Sequence, residues 1–454
     1  MADDAGIIEN INLRDIVLML LLENEKNPGH SHVLIRQMLD KYAYLSKTQR
    51  SFITRLSEGT IERRIEEDWI INLVSNTHTD RMKPIIRNIL RMSVYQMKYM
   101  DNAPRAAVCN EAVKLAAKHG FRQLKGFVNG VLRNISKNID TIEYPDRDSD
   151  FILYCSVKYS MPKDLVRHFI DECGIENVEK VFAGFDVDRK LYIRCNTRLI
   201  KPECLKSKLE AEGVSVNDTF IPYAFEIKGY DRLSELETFK KGLFQVQDLS
   251  SILAGLAVNP AEGSHIIDVC ASPGGKCLHA AERADKVTVE ARDISEFKTA
   301  LIESNIERMR ADSVHTKIWD ASVTDDSAEG TADILICDVP CSGMGILGRK
   351  ADIRYNITED KTKELIKLQR QILNASCGYV KPGGYLIYST CTINRAENLD
   401  NIMWFTREFP FELDSIEADY PMLDKDTLAK GYVQLLPGID GTDGFFIARL
   451  KRQD

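Results

Sequence analysis

One stretch limits the fold more than any other. His265-Ile-Ile-Asp-Val-Cys270 is a short apolar run of strand character, and Cys277-Leu-His-Ala-Ala-Glu-Arg-Ala284 reads as a helix. Between them Ala271-Ser-Pro-Gly-Gly-Lys276 favours a turn. A strand that passes through glycines into a helix brings bare backbone N–H groups close to a ligand. This is the shape of a nucleotide or cofactor site at the carboxyl end of a parallel strand. The spacing is neither the G-x-G-x-x-G of dinucleotide binders nor a P-loop.

Downstream the pattern repeats. Strand candidates at 287–291, 314–319, 334–337, 385–388 and 445–450 alternate with helices at 296–309, 359–377 and 395–408. Alternation of this kind predicts an α/β domain with a doubly wound, mainly parallel sheet over residues 241–454. Ligands of such sheets collect beyond the carboxyl ends of the strands. There stand Asp293, Asp320, Asp338 in Asp338-Val-Pro-Cys341, and Ser389-Thr-Cys391. One acid at a strand end is commonly a helix cap, but several beside a glycine turn form a set of acceptors suited to a nucleoside. Cys341 and Cys391 end adjacent strands and are expected to meet in one cleft. Cys270, Cys277, Cys337 and Cys377 read as buried structural thiols.

The rest of the chain is of another kind. Residues 1–140 read as helical nearly throughout, and Pro84–Met100 carries Ile85, Ile86, Ile89, Leu90, Met92 and Val94 at helical spacing. Residues 81–137 hold twelve Lys or Arg against only Asp101 and Glu111, in a protein whose net charge is −8. That block is a candidate phosphate-contacting surface, in which Lys125 and Arg133 are expected to touch RNA. Tyr144-Pro-Asp-Arg-Asp-Ser-Asp150 reads as a linker, and residues 141–240 as a small α+β domain with strands at 191–196 and 225–228. The eleven scattered cysteines, an odd number without C-x-x-C spacing, imply reduced cytosolic thiols and no metal module. No apolar run is long enough to span a membrane, and no signal peptide is visible, so a cytoplasmic protein without membrane partners is expected.

A cofactor pocket beside two thiols suits one reaction well. C5 of cytosine is a poor nucleophile until a thiolate adds to C6, after which a second group must help remove the C5 proton. Asp268-Val-Cys-Ala-Ser-Pro-Gly-Gly-Lys276, Asp338-Val-Pro-Cys-Ser-Gly-Met-Gly345 and Tyr388-Ser-Thr-Cys391 with Glu397-Asn398 resemble the RNA (cytosine-5) methyltransferases of the Nol1/Nop2/Sun group. Gln247-Asp248, Ser250-Ser251 and Gly441-Thr-Asp-Gly-Phe-Phe-Ile-Ala448 fit the same family, while Val339 and Ile439-Asp440 depart mildly from its pattern. Asn110-Glu-Ala-Val-Lys-Leu-Ala116 and Phe127-Val-Asn-Gly-Val-Leu-Arg133 resemble the helical RNA-binding domain of the antitermination factor NusB.

The resemblance implies a Rossmann-like methyltransferase preceded by a NusB-like domain and acting on 16S ribosomal RNA; separately, a monomer is expected. By the same resemblance Cys270, Ala271, Ser272, Pro273, Gly274, Gly275, Lys276, Asp293, Asp320 and Asp338 would hold S-adenosylmethionine. Cys391 would be the nucleophile, Cys341 would help resolve the adduct, and Asp338 would steady the ring. Arg349, Lys350 and Arg354, just past Cys341, are expected to hold the RNA backbone near a flipped-out cytosine. A transfer RNA methyltransferase or a non-catalytic antitermination factor are the alternative readings.

Overall fold

The computed structural model describes residues 12–29, 31–101, 103–187, 189–416, 420, 423 and 425–454. Residues 1–11 of the expected first domain lie outside that set. The chain divides into two compact units, residues 1–179 with 347–357, and residues 180–346 with 358–454. The sequence suggests boundaries at 140 and 240. The contacts instead group the helices Phe151–Lys158 and Lys163–Cys173 with the front of the chain, and the division falls inside the helix Ile175–Phe185.

The first unit is helical. Its helices Leu13–Lys26, Lys47–Glu62, Pro84–Tyr99 and Lys125–Asn138 bury Val17, Leu18, Ile53, Leu56, Ile89, Leu90 and Leu132 in one core. Their starts are locally encoded. Asn12 accepts from the amides of Arg14 and Asp15, Ser46 and Gln49 form a reciprocal capping box, and Pro84 opens the next helix. The helix Arg64–Val74 follows Lys47–Glu62 after a single residue. Its first turn holds Glu66 and Glu67, which are buried, so the apolar pattern is interrupted where the helix is in contact. Glu66 is matched by Lys98 at 2.8 Å and by the hydroxyls of Tyr99 and Tyr144.

The second unit opens with a four-stranded antiparallel sheet. Strands β1 (Leu191–Cys195), β2 (Ser215–Asp218), β3 (Ala224–Lys228) and β4 (Phe244–Val246) lie in the order β2-β3-β1-β4. The helix Pro202–Ala211 packs Leu205 and Leu209 with Ile193, Phe225 and Phe244.

The larger sheet comes next, with β5 (His265–Asp268), β6 (Thr288–Asp293), β7 (Val314–Ile318), β8 (Ala332–Asp338), β9 (Val380–Thr390), β10 (Phe411–Leu413), β11 (Tyr432–Leu435) and β12 (Phe445–Arg452). Its order is β10-β12-β9-β8-β5-β6-β7, with β11 also on β12. The strands β9-β8-β5-β6-β7 pair in parallel, and β12 joins β9 antiparallel. Consecutive residues feed two separate cores. Ile266, Ile334, Ile387 and Phe445 face one, and Ile267, Leu335, Leu386 and Phe446 the other. A sheet buried on both faces is what the doubly wound reading requires. Strand β9 starts five residues earlier than expected, because the ladder to β8 breaks register between Ala332 and Ile334 and so admits Pro382-Gly383-Gly384. The order of the strands reverses at β5 and β8, which opens a crevice at their carboxyl ends. No helix among the described residues is long and apolar enough to cross a membrane.

Candidate active site

The glycine turn sits at that crevice. Gly274 has φ +103°, a backbone conformation that side chains resist, and it starts the helix Gly275–Arg283. The turn is held from the neighbouring strand: Ala271 N donates to Arg292 O at 2.8 Å, and Ser272 N to Asp293 Oδ2 at 3.0 Å. Asp293 is buried at the end of β6 and also accepts from Ile294 N at 2.8 Å and Lys298 Nζ at 3.0 Å. Asp320 lies just past β7 on the surface. Its Oδ1 caps Ser322, and its Oδ2 has no partner among the described residues. An N-terminal helix turn flanked by two carboxylates offers N–H donors and hydroxyl acceptors together, a donor set that fits S-adenosylmethionine.

Asp268, Asp338 and Lys276 bring charge to the same place. Lys276 Nζ lies 2.5 Å from Asp338 Oδ2, and Ser389 Oγ donates to Asp338 Oδ1 at 2.7 Å. The Lys276 side chain therefore reaches to the end of β8, leaving its backbone to the turn. Asp268 is fully buried one strand away. Burial first, then the nearby Asp338 charge, push its carboxyl up to about 8, against a smaller opposing pull from Lys276.

The two thiols meet beside this group. Cys341 Sγ and Cys391 Sγ are 3.3 Å apart, both half-buried, and neither is in a disulfide. The hydrogen bond with Cys391 and then burial hold the Cys341 thiol well above its ordinary value. Cys277, Cys337 and Cys377 are buried elsewhere in the unit's cores, where desolvation raises their thiols and keeps them inert. Cys270 is also raised by burial, within the turn itself.

What fixes the thiol loops is a residue that the sequence shows only as part of a motif. Glu397 is 0% exposed and accepts from Ser342 N at 2.9 Å, Ser342 Oγ at 2.5 Å, Asn394 Nδ2 at 2.9 Å and Gln369 Nε2 at 2.9 Å. Ser342 is the neighbour of Cys341, and its hydroxyl also meets Thr392 at 2.8 Å, next to Cys391. One buried carboxylate thus clamps both cysteine loops. Gly345 completes the clamp, donating to Cys391 O at 3.1 Å and accepting from Gly444 N at 2.9 Å.

The expected RNA contacts fare unevenly. Arg354 is 1% exposed, and its guanidinium donates to Tyr159 O at 3.1 Å and Leu347 O at 3.2 Å, with Glu62 at 3.5 Å. It is a packing residue of the helical unit and not an RNA contact. Residues 347–357 belong to the helical unit, and the guanidinium is taken up by that unit's own groups, including Leu347. Arg349 and Lys350 share that segment, Lys350 exposed and Arg349 half-buried. Lys125 and Arg133 are exposed and pair with no carboxylate among the described residues. The wider basic block is less bare than its sequence window implies. Arg87, Arg91, Lys98, Arg105 and Lys118 pair with Glu25, Asp68, Glu66, Asp140 and Asp15, all from outside that window.

The doubly wound sheet, glycine turn and acid-tipped strands define a Rossmann-like methyltransferase that uses S-adenosylmethionine. Residues 255–451 match the family described as 16S rRNA methyltransferase RsmB/F, and residues 12–137 match the NusB family. A probable ribosomal RNA small subunit methyltransferase B of Bacillus subtilis is 33% identical over 98% of this chain and 100% of its own length. Its counterpart in Synechocystis is 30% identical over 97% and 100%. Among solved structures, PH0851 matches with TM-score 0.79 and 24% identity over 98% of this chain and 99% of that one. NSun6 from Pyrococcus horikoshii, solved with SFG, matches with TM-score 0.56 and 22% identity over 64% and 98%. The chain belongs to the RsmB/Sun family of rRNA methyltransferases.

Proposed function

We propose that this protein, as a monomer, methylates C5 of a cytosine in 16S ribosomal RNA through a covalent adduct between Cys391 and C6 of the base. The observation that supports this is the 3.3 Å approach of the Cys341 and Cys391 sulfurs beside Asp338. Cys270 to Lys276 with Asp293, Asp320 and Asp338 are the residues we assign to S-adenosylmethionine, which supplies an electrophilic methyl group. The Cys391 thiolate bonds to C6, and the displaced electron pair makes C5 nucleophilic. Asp338, held by Lys276 and Ser389, accepts from the exocyclic amino group of the cytosine and fixes the ring beside Cys391. C5 then bonds to the methyl group, whose bond to the donor's sulfonium sulfur breaks with its electron pair staying on that sulfur.

The order of the two cysteines rests on the family resemblance, and the geometry gives it a rationale. The hydrogen bond to Cys391 is the largest cause of the raised Cys341 thiol. Once the Cys391 sulfur is bonded to carbon that cause is gone, which eases the loss of the Cys341 proton to solvent even though burial and the Glu397 charge still oppose it. The Cys341 thiolate then takes the C5 proton, the C6–S bond breaks, and Cys391 leaves as the thiolate it began as. One proton is released per turnover.

The test is direct. The protein is incubated with tritiated S-adenosylmethionine and either 16S or transfer RNA, and the product nucleoside is identified. Label in 5-methylcytidine of 16S RNA is expected. Label in transfer RNA only, or on another atom of the base, overturns the reading.

A further inference from the structure

The helical unit holds a cavity of about 650 Å³, lined by Asn24, Arg64, Asp352 and Tyr355 among others, that the reaction does not use. That volume is within the range of small-molecule sites. Arg64 stacks on Tyr355, its guanidinium carbon 3.7 Å from the ring centroid, and no group among the described residues accepts a hydrogen bond from it. Asp352 is 2% exposed, with Oδ2 accepting from Ser31 N at 2.8 Å and Oδ1 without a partner among the described residues. Asn24 Oδ1 on the same wall is likewise buried and unpartnered. A buried oxygen left without a donor is destabilising. Two of them beside a guanidinium that stacks on a ring but donates no hydrogen bond among the described residues make a site built for something that brings hydrogen bonds.

The charges select its chemistry. A phosphate would suit Arg64 but would sit beside Asp352 and Asp68. A metal cation would suit Asp352 but would face Arg64, and Arg87 and Arg91 line the same space. Those last two arginines are ion-paired, with Glu25 at 2.9 Å and Asp68 at 2.6 Å, and only Arg87 Nε is left buried without a partner among the described residues. A neutral, flat ligand with acceptors on one edge and donors on the next meets both free groups at once. Guanine is such a ligand: a guanidinium forks onto O6 and N7, and a carboxylate oxygen accepts from N1–H and the amino group.

We propose that this cavity takes an extruded guanosine of the RNA, with Arg64 on its acceptor edge and Asp352 on its amino edge. The RNA part of this rests on the reading of the protein as an rRNA methyltransferase. The pocket itself is tested first without RNA. The full-length protein, saturated with S-adenosylhomocysteine so that the adenosine site is filled, is titrated with 5′-GMP, 5′-AMP, 5′-CMP, 5′-UMP and inorganic phosphate. 5′-GMP is expected to bind about tenfold or more tighter than the others. Arg64→Ala and Asp352→Asn should each lose that preference while the helical circular dichroism and the melting curve of the protein stay those of the wild type, which reports the helical unit intact. No binding of 5′-GMP, equal binding of all five, or indifference to Arg64→Ala overturns the site.

Ultraviolet crosslinking of 6-thioguanosine-substituted 16S RNA then tests the source of the base, with methyl transfer measured in the same samples. Crosslinks in residues 64–91 or 347–357 support the proposal. Methyl transfer with crosslinks only elsewhere overturns it while leaving the enzyme reading intact. Absent methyl transfer in a protein that binds 5′-GMP overturns the enzyme reading instead, and the RNA assignment with it.

Discussion

At the scale of single residues, each cysteine has its own expected failure. Cys391→Ala should abolish methyl transfer while S-adenosylmethionine binding, measured by calorimetry, stays within about twofold. Cys341→Ala should instead accumulate a covalent protein–RNA species, seen as a slow band on a denaturing gel. An active Cys391→Ala variant would sink the assignment of the nucleophile. Glu397 makes a subtler prediction. Its negative charge is among the causes that raise the Cys341 thiol, so Glu397→Gln lowers that pKa. In a Cys391→Ala background, adding Glu397→Gln should therefore shift the onset of Cys341 alkylation to lower pH. An unchanged profile would mean that the carboxylate acts only as packing. The pairing of Cys341 with Cys391 was legible from strand ends alone, because a parallel sheet aligns the loops beyond its strands. The role of Glu397 was not: it lies in an irregular turn before the helix Leu399–Glu408, and its partners Ser342 and Gln369 come from distant segments.

At the scale of elements, the close approach of two loops is the most fragile feature of the site. A Cβ added to Gly345 would lie 2.0 Å from Gly444 O, a backbone atom that cannot step aside, whereas one at Gly126 or Gly130 meets open space. Gly345→Ala should therefore cost methyl transfer more than about tenfold, and Gly130→Ala little, with radiolabel incorporation as the readout. Strand ends also set a pH response. Asp268 keeps its proton in the folded protein up to about pH 8, while the unfolded carboxyl loses it near pH 4. The folded state thus binds the extra proton across that window, and stability falls as pH rises through it. Asp268→Asn, which mimics the protonated form, should remove this loss, so its melting temperature should gain on the wild type from pH 5 to pH 8. A constant difference would refute the raised carboxyl. Element types were readable where periodicity ran long, as in Pro84–Tyr99 and Arg105–Lys118. They were not where burial is polar or partial. Arg64–Val74 hides its first turn behind Glu66 and Glu67, and Ser31–Lys41 buries only Ser31 and Ile35.

At the scale of the whole molecule, the basic surface and the buried arginine separate cleanly by salt. Lys125→Ala and Arg133→Ala should each weaken RNA binding alike across sequences and reduce the slope of log K against log salt by about 0.7–0.9. Arg354→Ala should leave that slope unchanged and instead lower the melting temperature, since it strips a buried guanidinium from two carbonyls and Glu62. The reverse pattern would restore Arg354 to the RNA. Helical pairing across the bundle is invisible in any local window, which is why the basic block looked barer than it is. Residues 347–357 carry a last consequence. Because the polypeptide quits the sheet-bearing unit at Ile346 and rejoins it at Thr358, no lone scission can part the two halves. A protease nicking near residue 180 should yield fragments that still co-elute, and an amino-terminal piece expressed alone should lack a segment of its own bundle.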